Sequence, residues 1–158
     1  SVYCVEINRN RLNYKSMATQ SIKEYSLNFQ GYWREANKGG VPSKSGIYLV
    51  YRCLYNSEQN TVGLKEIIYI GQSVDAHERI VNHDKLDEFN AKLQRGEELC
   101  YSFAEVDEEN LNIVENALVF AQKPVLNDQL KDKFNYSPVA IKLDGRCACM
   151  AYTDFTIS

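Results

Sequence analysis

Alternation of apolar and polar positions marks three short strands through the middle of the chain. Residues 45–53 (SGIYLVYRC) place Ile47, Leu49 and Tyr51 on one face, at the two-residue repeat of a strand. Residues 66–71 (EIIYIG) repeat the pattern, and the polar, turn-like stretch 54–65 between them predicts a hairpin with a long connection. Residues 100–106 (CYSFAEV) predict the third strand. Helical spacing fills the gaps. Asp75 is a predicted N-cap, with Glu78 closing a capping box. The helix from about Ala76 carries Arg79 and His83 on one face, continues through Leu86, Phe89 and Leu93, and ends at Gly96. The strongest helix covers 109–122, with Pro124 just beyond it. Residues 2–8 predict a short strand, and 15–37, polar with scattered aromatics, predict one or two helices. Residues 39–43 predict a loop, and 139–143 and 146–153 a second hairpin turning at Asp144–Gly145. The sum is one α+β domain on a small antiparallel sheet.

Composition narrows the class. A chain of 158 residues, 44% hydrophobic and 25% charged, suits a single globular domain spanning 1–158. Apolar runs such as 67–70 are too short to span a bilayer. Glu6, Arg9, Arg11 and Lys15 interrupt any leader pattern, so a cytoplasmic protein with no membrane partner is expected. Five cysteines, with no Cys-x-x-Cys and only two histidines, favour reduced, mostly buried thiols over a zinc site. Cys147 and Cys149, on one face of the predicted last strand, are a weak metal signal. The net charge of −3 argues against a large basic nucleic-acid footprint but leaves room for a local groove.

Three sets of side chains carry candidate chemistry. On the 109–122 helix, Leu111, Val114, Leu118 and Ala121 form an apolar stripe, and Glu115 falls inside it. A carboxylate there needs a metal, a cation or hydrogen bonds, or else lies at the margin with its head in solvent. Arg79 and His83, a turn apart, suit a phosphate grip or a solvated helix face. Tyr48, Tyr51 and Tyr69 alone read as sheet aromatics.

Taken together, these residues resemble the GIY-YIG nuclease family. Gly46-Ile47-Tyr48 and Tyr69-Ile70-Gly71 are its two naming tripeptides, both on predicted strands. Arg79 follows Tyr69 by ten residues and His83 follows by four more. Glu115 sits in a helix beyond a third strand, and Asn127 comes twelve residues later, after Pro124. The resemblance covers about 44–128 as a catalytic core, leaving 1–43 and 129–158 as elaborations. It implies a small antiparallel three-stranded sheet flanked by helices, with an extra N-terminal segment and a C-terminal β-hairpin.

The implied activity is metal-dependent endonucleolytic hydrolysis of phosphodiester bonds, in DNA first, with RNA left open as substrate. One Mg²⁺ or Mn²⁺ ion per site would be held by Glu115. Tyr48 would be the general base, with His83 relaying its proton or serving as base itself. Tyr69 would hydrogen-bond the phosphate or the attacking water, Arg79 would stabilise developing charge, and Asn127 would hold the site's geometry. Two features depart from the family pattern. Twenty residues separate Tyr48 from Tyr69 where about ten are common, a surplus expected to lengthen the hairpin loop. Gln72 stands where some members have lysine. The rival readings are a non-catalytic module binding nucleic acid or protein, and a purely structural domain. Among enzymes a restriction-type cutter is favoured over repair, mobile-element or toxin-like nucleases. A homodimer cutting both strands is compatible with the resemblance and demonstrated by no residue.

Overall fold

Seven strands form one curled, mixed sheet in the computed structural model, which describes residues 5–7 and 22–158. In chain order the strands are β1 (Val5–Ile7), β2 (Lys23–Arg34), β3 (Gly46–Asn56), β4 (Thr61–Ser73), β5 (Glu98–Glu105), β6 (Val139–Gly145) and β7 (Asp154–Ile157). The α-helices are α1 (Ala76–Val81), α2 (Leu86–Ala91) and α3 (Leu111–Gln122). Across the sheet the order is β1-β7-β6-β2-β5-β3-β4. Every neighbouring pair is antiparallel except β2 and β6, which run parallel.

The expected three-stranded sheet flanked by helices is therefore overturned. Strands β4, β3 and β5 do pair antiparallel, but β5 is not an edge. Its outer side is occupied by β2, drawn from the segment expected to be helical. From Tyr25 to Gln30 the polar positions Ser26, Asn28 and Gln30 alternate with Tyr25, Leu27 and Phe29, a period of two. That period suits a half-buried strand, and β2 buries Leu27 and Phe29 while exposing the polar set. The part of the helix expectation on 15–21, and the part of the first-strand expectation on 2–4 and 8, lie outside the described residues.

The C-terminal hairpin is corrected too. Asp144 and Gly145 end β6 instead of turning it, and 146–153 is a loop. Tyr51 Oη donates to the Ala148 carbonyl at 2.8 Å, and Tyr32 Oη accepts from Ala148 N–H at 3.0 Å. Gln122 Oε1 accepts from Ala151 and Tyr152 N–H, and its Nε2 donates to the Tyr152 carbonyl. With its backbone held by side chains, this loop needs no ladder, and pairing with β6 resumes only at β7. Cys53 and Cys100 are buried free thiols as expected, but Cys147 is half-buried and Cys149 exposed on this loop.

The ten-residue surplus lengthens the strands instead of the loop: β3 runs on to Asn56 and β4 begins at Thr61, with two register irregularities on the way. Arg52 braces the extension, bonding Glu66 on the neighbouring strand at 3.0 Å and Glu97 at 2.6 Å.

The β3–β4–β5 region is buried on both faces. Ile47, Leu49, Tyr51 and Cys53 face one core with α3, Leu27 and Phe29. Tyr48, Val50, Ile68, Tyr101 and Phe103 face a second core with Ala76, Ile80 and Phe89 from α1 and α2. Because successive residues of a strand point to opposite faces, one tripeptide feeds both cores. Among the described residues no helix is long and apolar enough to cross a membrane.

Candidate active site

The site starts from a steric requirement. Tyr48 on β3 lies directly opposite Gly71 on β4. A Cβ on Gly71 would stand 2.3 Å from the Tyr48 ring and its oxygen. Only glycine lets the phenol lie across the neighbouring strand, so the glycine of the second tripeptide makes room for the tyrosine of the first. Tyr48 is 1% exposed, in ring contact with Tyr69 (centroids 6.2 Å apart) and His83 (5.5 Å).

His83 reaches this point by a route the sequence does not foretell. The expected helix through Arg79, His83 and Phe89 is broken: α1 stops at Val81, with Asn82 at φ −120°, ψ 44°. The Asp75 cap holds, its side chain accepting from Glu78 N–H at 3.1 Å. The reciprocal half of the capping box does not form. Glu78 instead accepts from the Asn82 side chain at 2.8 Å, and the Asp75 N–H is bound by Ser73 Oγ. His83 therefore sits in the turn before α2, its ring packed on Phe89 at 4.7 Å.

The ring's protonation follows from its partners. Lys85 N–H donates to His83 Nδ1 at 3.1 Å, so in the neutral ring the hydrogen is on Nε2. Nε2 lies 2.6 Å from Tyr48 Oη and must be the donor. Burial, with the charges of Arg79, Lys85 and Lys38, pushes the His83 pKa down to about 4, against an opposing pull from Asp84. The Asp84 carboxylate 3.4 Å from Nδ1 is thus a contact of a neutral ring, not an ion pair.

This has a measurable consequence. Unfolded, His83 takes up a proton near 6.5; folded, it resists until about 4. Its contribution to stability is complete above the unfolded value and is lost as pH falls from 6.5 towards 4. For a side chain 1% exposed the loss is about 3 kcal/mol. Urea unfolding at pH 7 and pH 4 should show this loss in the parent protein, and a slope correspondingly smaller in His83→Gln.

The Arg79 guanidinium lies near the Tyr48 phenol, where its charge favours the deprotonated oxygen, and pairs through Nη2 with Asp84 at 3.0 Å. Tyr48 Oη thus accepts from His83 Nε2–H beside a positive charge, an arrangement suited to carrying negative charge. In the chain alone burial outweighs this: burial first, then Tyr69, hold the Tyr48 pKa above its usual value against the pull of Arg79. Burial and then Glu115 raise Tyr69 likewise.

Glu115 is half-buried on α3, one turn from the buried Leu111 and Leu118. Its head is not simply in solvent: Gln72 Nε2 donates to Oε1 at 3.1 Å and also to Asn112 Oδ1 at 2.7 Å. Burial raises the carboxyl pKa, opposed by the Gln72 hydrogen bonds and the charge of Arg79. Tyr69 and Glu115 line a cleft of about 240 Å³, together with Lys85, Asn127, Asp128 and Gln129. Tyr48, Arg79 and His83 stand behind Tyr69 as a second layer.

Asn127 lines the same cleft but its amide is turned to the sheet. Its Oδ1 accepts from Ile70 N–H at 3.0 Å and its Nδ2 donates to the Ile70 carbonyl at 2.8 Å. Just before it, Leu126 N–H donates to the Ile68 carbonyl. β4 is an edge strand, and residues 126–127 close the edge on both sides of Tyr69. Asn127→Ala would leave two backbone groups unpaired at a residue 7% exposed, at roughly 1–3 kcal/mol each. Chemical unfolding should read a loss of about 2–5 kcal/mol.

Of the six residues singled out in the sequence, Tyr69, Glu115 and Asn127 line the cleft, and Tyr48, His83 and Arg79 cluster against Tyr69 beside it. Reading the sequence missed Lys85, whose backbone sets the His83 tautomer, and gave Gln72 no role on Glu115. Neither carries a local signal, since each acts across a turn or between strand and helix. Among the described residues no group of three or more His, Cys, Asp or Glu could hold a metal. A single half-buried carboxylate on an open polar cleft fits Mg²⁺, which keeps much of its water and takes one or two carboxylates. Tyr51, by contrast, serves the opposite core. No family model, curated protein or solved structure matches this chain.

Proposed function

We propose that the chain is a metal-dependent endonuclease of the GIY-YIG type that hydrolyses phosphodiester bonds, with DNA as the substrate to test first. The observation that carries the reading is convergence. Tyr69 and Glu115 line one polar cleft, and Tyr48, Arg79 and a neutral His83, brought from separate stretches of chain, cluster against Tyr69 beside it.

Each residue then has a task. Glu115 holds the divalent ion, Mg²⁺ or Mn²⁺. Bound there, the ion supplies positive charge that stabilises a phosphate in the cleft and a deprotonated Tyr48. Tyr48 is the general base, because its oxygen already accepts from His83 Nε2 and feels the Arg79 charge, and so can keep the charge left by losing its own proton. His83 is the donor to that oxygen. With its hydrogen on Nε2 it has no free lone pair facing Tyr48, which argues against His83 as the base. Arg79, 36% exposed, reaches from Tyr48 towards the surface and stabilises charge developing on the phosphate. Tyr69 faces the cleft and orients the phosphate. Asn127 acts through β4, holding Tyr69 in place from the strand edge.

The test is incubation of the protein with supercoiled plasmid, with and without Mg²⁺, followed by electrophoresis. Metal-dependent conversion to open circles or discrete fragments is expected. If plasmid, single-stranded DNA and RNA all stay intact under Mg²⁺ and Mn²⁺, the nuclease reading is wrong and a binding module takes its place.

A further inference from the structure

We propose that Lys85 contacts the phosphate of the nucleic acid in this cleft; the inference rests on the nuclease reading and adds a residue to it. Lys85 is the one cation among the described residues that line the cleft, which otherwise presents Tyr69, Glu115, Asn127, Asp128 and Gln129. Two carboxylates on the wall would repel a phosphodiester unless cations offset them. Arg79, paired with Asp84, is not among the residues that line the cleft, so its charge reaches a phosphate there from beside it.

The Lys85 ammonium lies 5.8 Å from the centre of the Tyr69 ring. Its ion pair is loose, 3.6 Å to an exposed carboxylate of Glu88. A phosphate entering the cleft can displace such a partner, since an exposed pair at this separation is weakly held. The side chain is 28% exposed, half-sheltered and still open to a ligand.

Residue 85 also joins the two layers of the site. Its backbone N–H fixes His83 Nδ1 at 3.1 Å, while its side chain stands over Tyr69 beside the cleft. The backbone role survives any substitution other than proline, so the side-chain role can be tested alone.

The experiment compares the parent protein with Lys85→Met, which keeps the aliphatic stem, and Lys85→Arg, which keeps the charge. Two readouts are taken across a salt series: Mg²⁺-dependent nicking of supercoiled plasmid, and binding of a labelled duplex oligonucleotide. Lys85→Met should cut about 10- to 100-fold more slowly, and its plot of log affinity against log salt should be shallower by about one. Lys85→Arg should recover most of both. A Lys85→Met protein with the parent's rate and salt slope overturns the proposal and leaves the nuclease reading intact. A parent that binds DNA without cutting it overturns the nuclease reading, while a reduced salt slope in Lys85→Met would still support the phosphate contact. A parent that neither binds nor cuts overturns both.

Discussion

With Glu115 replaced by glutamine, plasmid cleavage in Mg²⁺ is expected to fall by about 10³-fold or more while the protein becomes more stable. The activity loss follows from the role proposed for the carboxylate: an amide of the same shape holds a divalent ion poorly. The stabilisation it would forfeit is several kcal/mol of the transition state, and each 1.36 kcal/mol is a tenfold change in rate. The gain in stability follows from what burial does to Glu115. Its carboxyl pKa is raised above the unfolded value, so the folded state favours the protonated form. That contribution is present below the unfolded pKa and is lost as pH rises through the folded one. At neutral pH the parent therefore carries the cost of a partly desolvated charge, and Glu115→Gln does not. Gln72 stays close enough to donate to the amide oxygen. Calorimetry should show Tm up by a few degrees at pH 7, with the difference shrinking in acid, since about 1 kcal/mol moves Tm by roughly 2–4 °C at this size. Parent-like cutting by this variant would remove Glu115 from the chemistry. A lower Tm would mean the carboxylate is a structural partner.

Tyr48→Phe is the second large effect, with cleavage expected to fall by about 10²- to 10⁴-fold, the range for a positioned proton-transfer group. The ring keeps its place over Gly71, because the requirement there concerns the ring's volume. Only the oxygen goes. His83 Nε2–H then loses its buried acceptor, so stability should drop by about 1–3 kcal/mol. The pH dependence separates a base from a merely packed phenol. Tyr48 stays protonated in the neutral range because burial raises its pKa. Parent activity should climb towards alkaline pH, and the residual activity of Tyr48→Phe should not. If Tyr48→Phe cut normally and His83→Gln were dead, the base would be His83, and the tautomer inferred from Lys85 N–H would be wrong.

Much of the site was legible before any fold was known, for a physical reason. Tripeptides such as Gly46-Ile47-Tyr48 and Tyr69-Ile70-Gly71 encode a local steric fit, a large ring opposite a residue with no side chain. The two-residue repeat of strands then turns Tyr48 away from Ile47 and Leu49. Glu115 could be singled out because a carboxylate inside an apolar stripe conflicts with its neighbours along the same helix. The Asp75 cap was equally local, one side chain reaching a backbone N–H three residues on.

What failed was whatever depended on a distant partner. Residues 25–30 alternate at the strand period, but the scattered aromatics of 23–34 also suit a helix face, and pairing with β5 and the parallel β6 settles the strand. Residues 146–153 alternate like a strand, yet Tyr32, Tyr51 and Gln122 claim their backbone groups. The helix expected through His83 breaks where Asn82 and Glu78 bond each other, which turns His83 into the Tyr48 pocket instead of leaving it a turn along from Arg79. By itself, then, the sequence determined which residues could do chemistry and the three central strands, two of which carry Tyr48 and Tyr69, because those depend on near neighbours. The size and order of the sheet, the His83 tautomer, the edge-closing role of Asn127 and the place of Lys85 came only from the tertiary structure, because each is a contact between groups the sequence does not bring together.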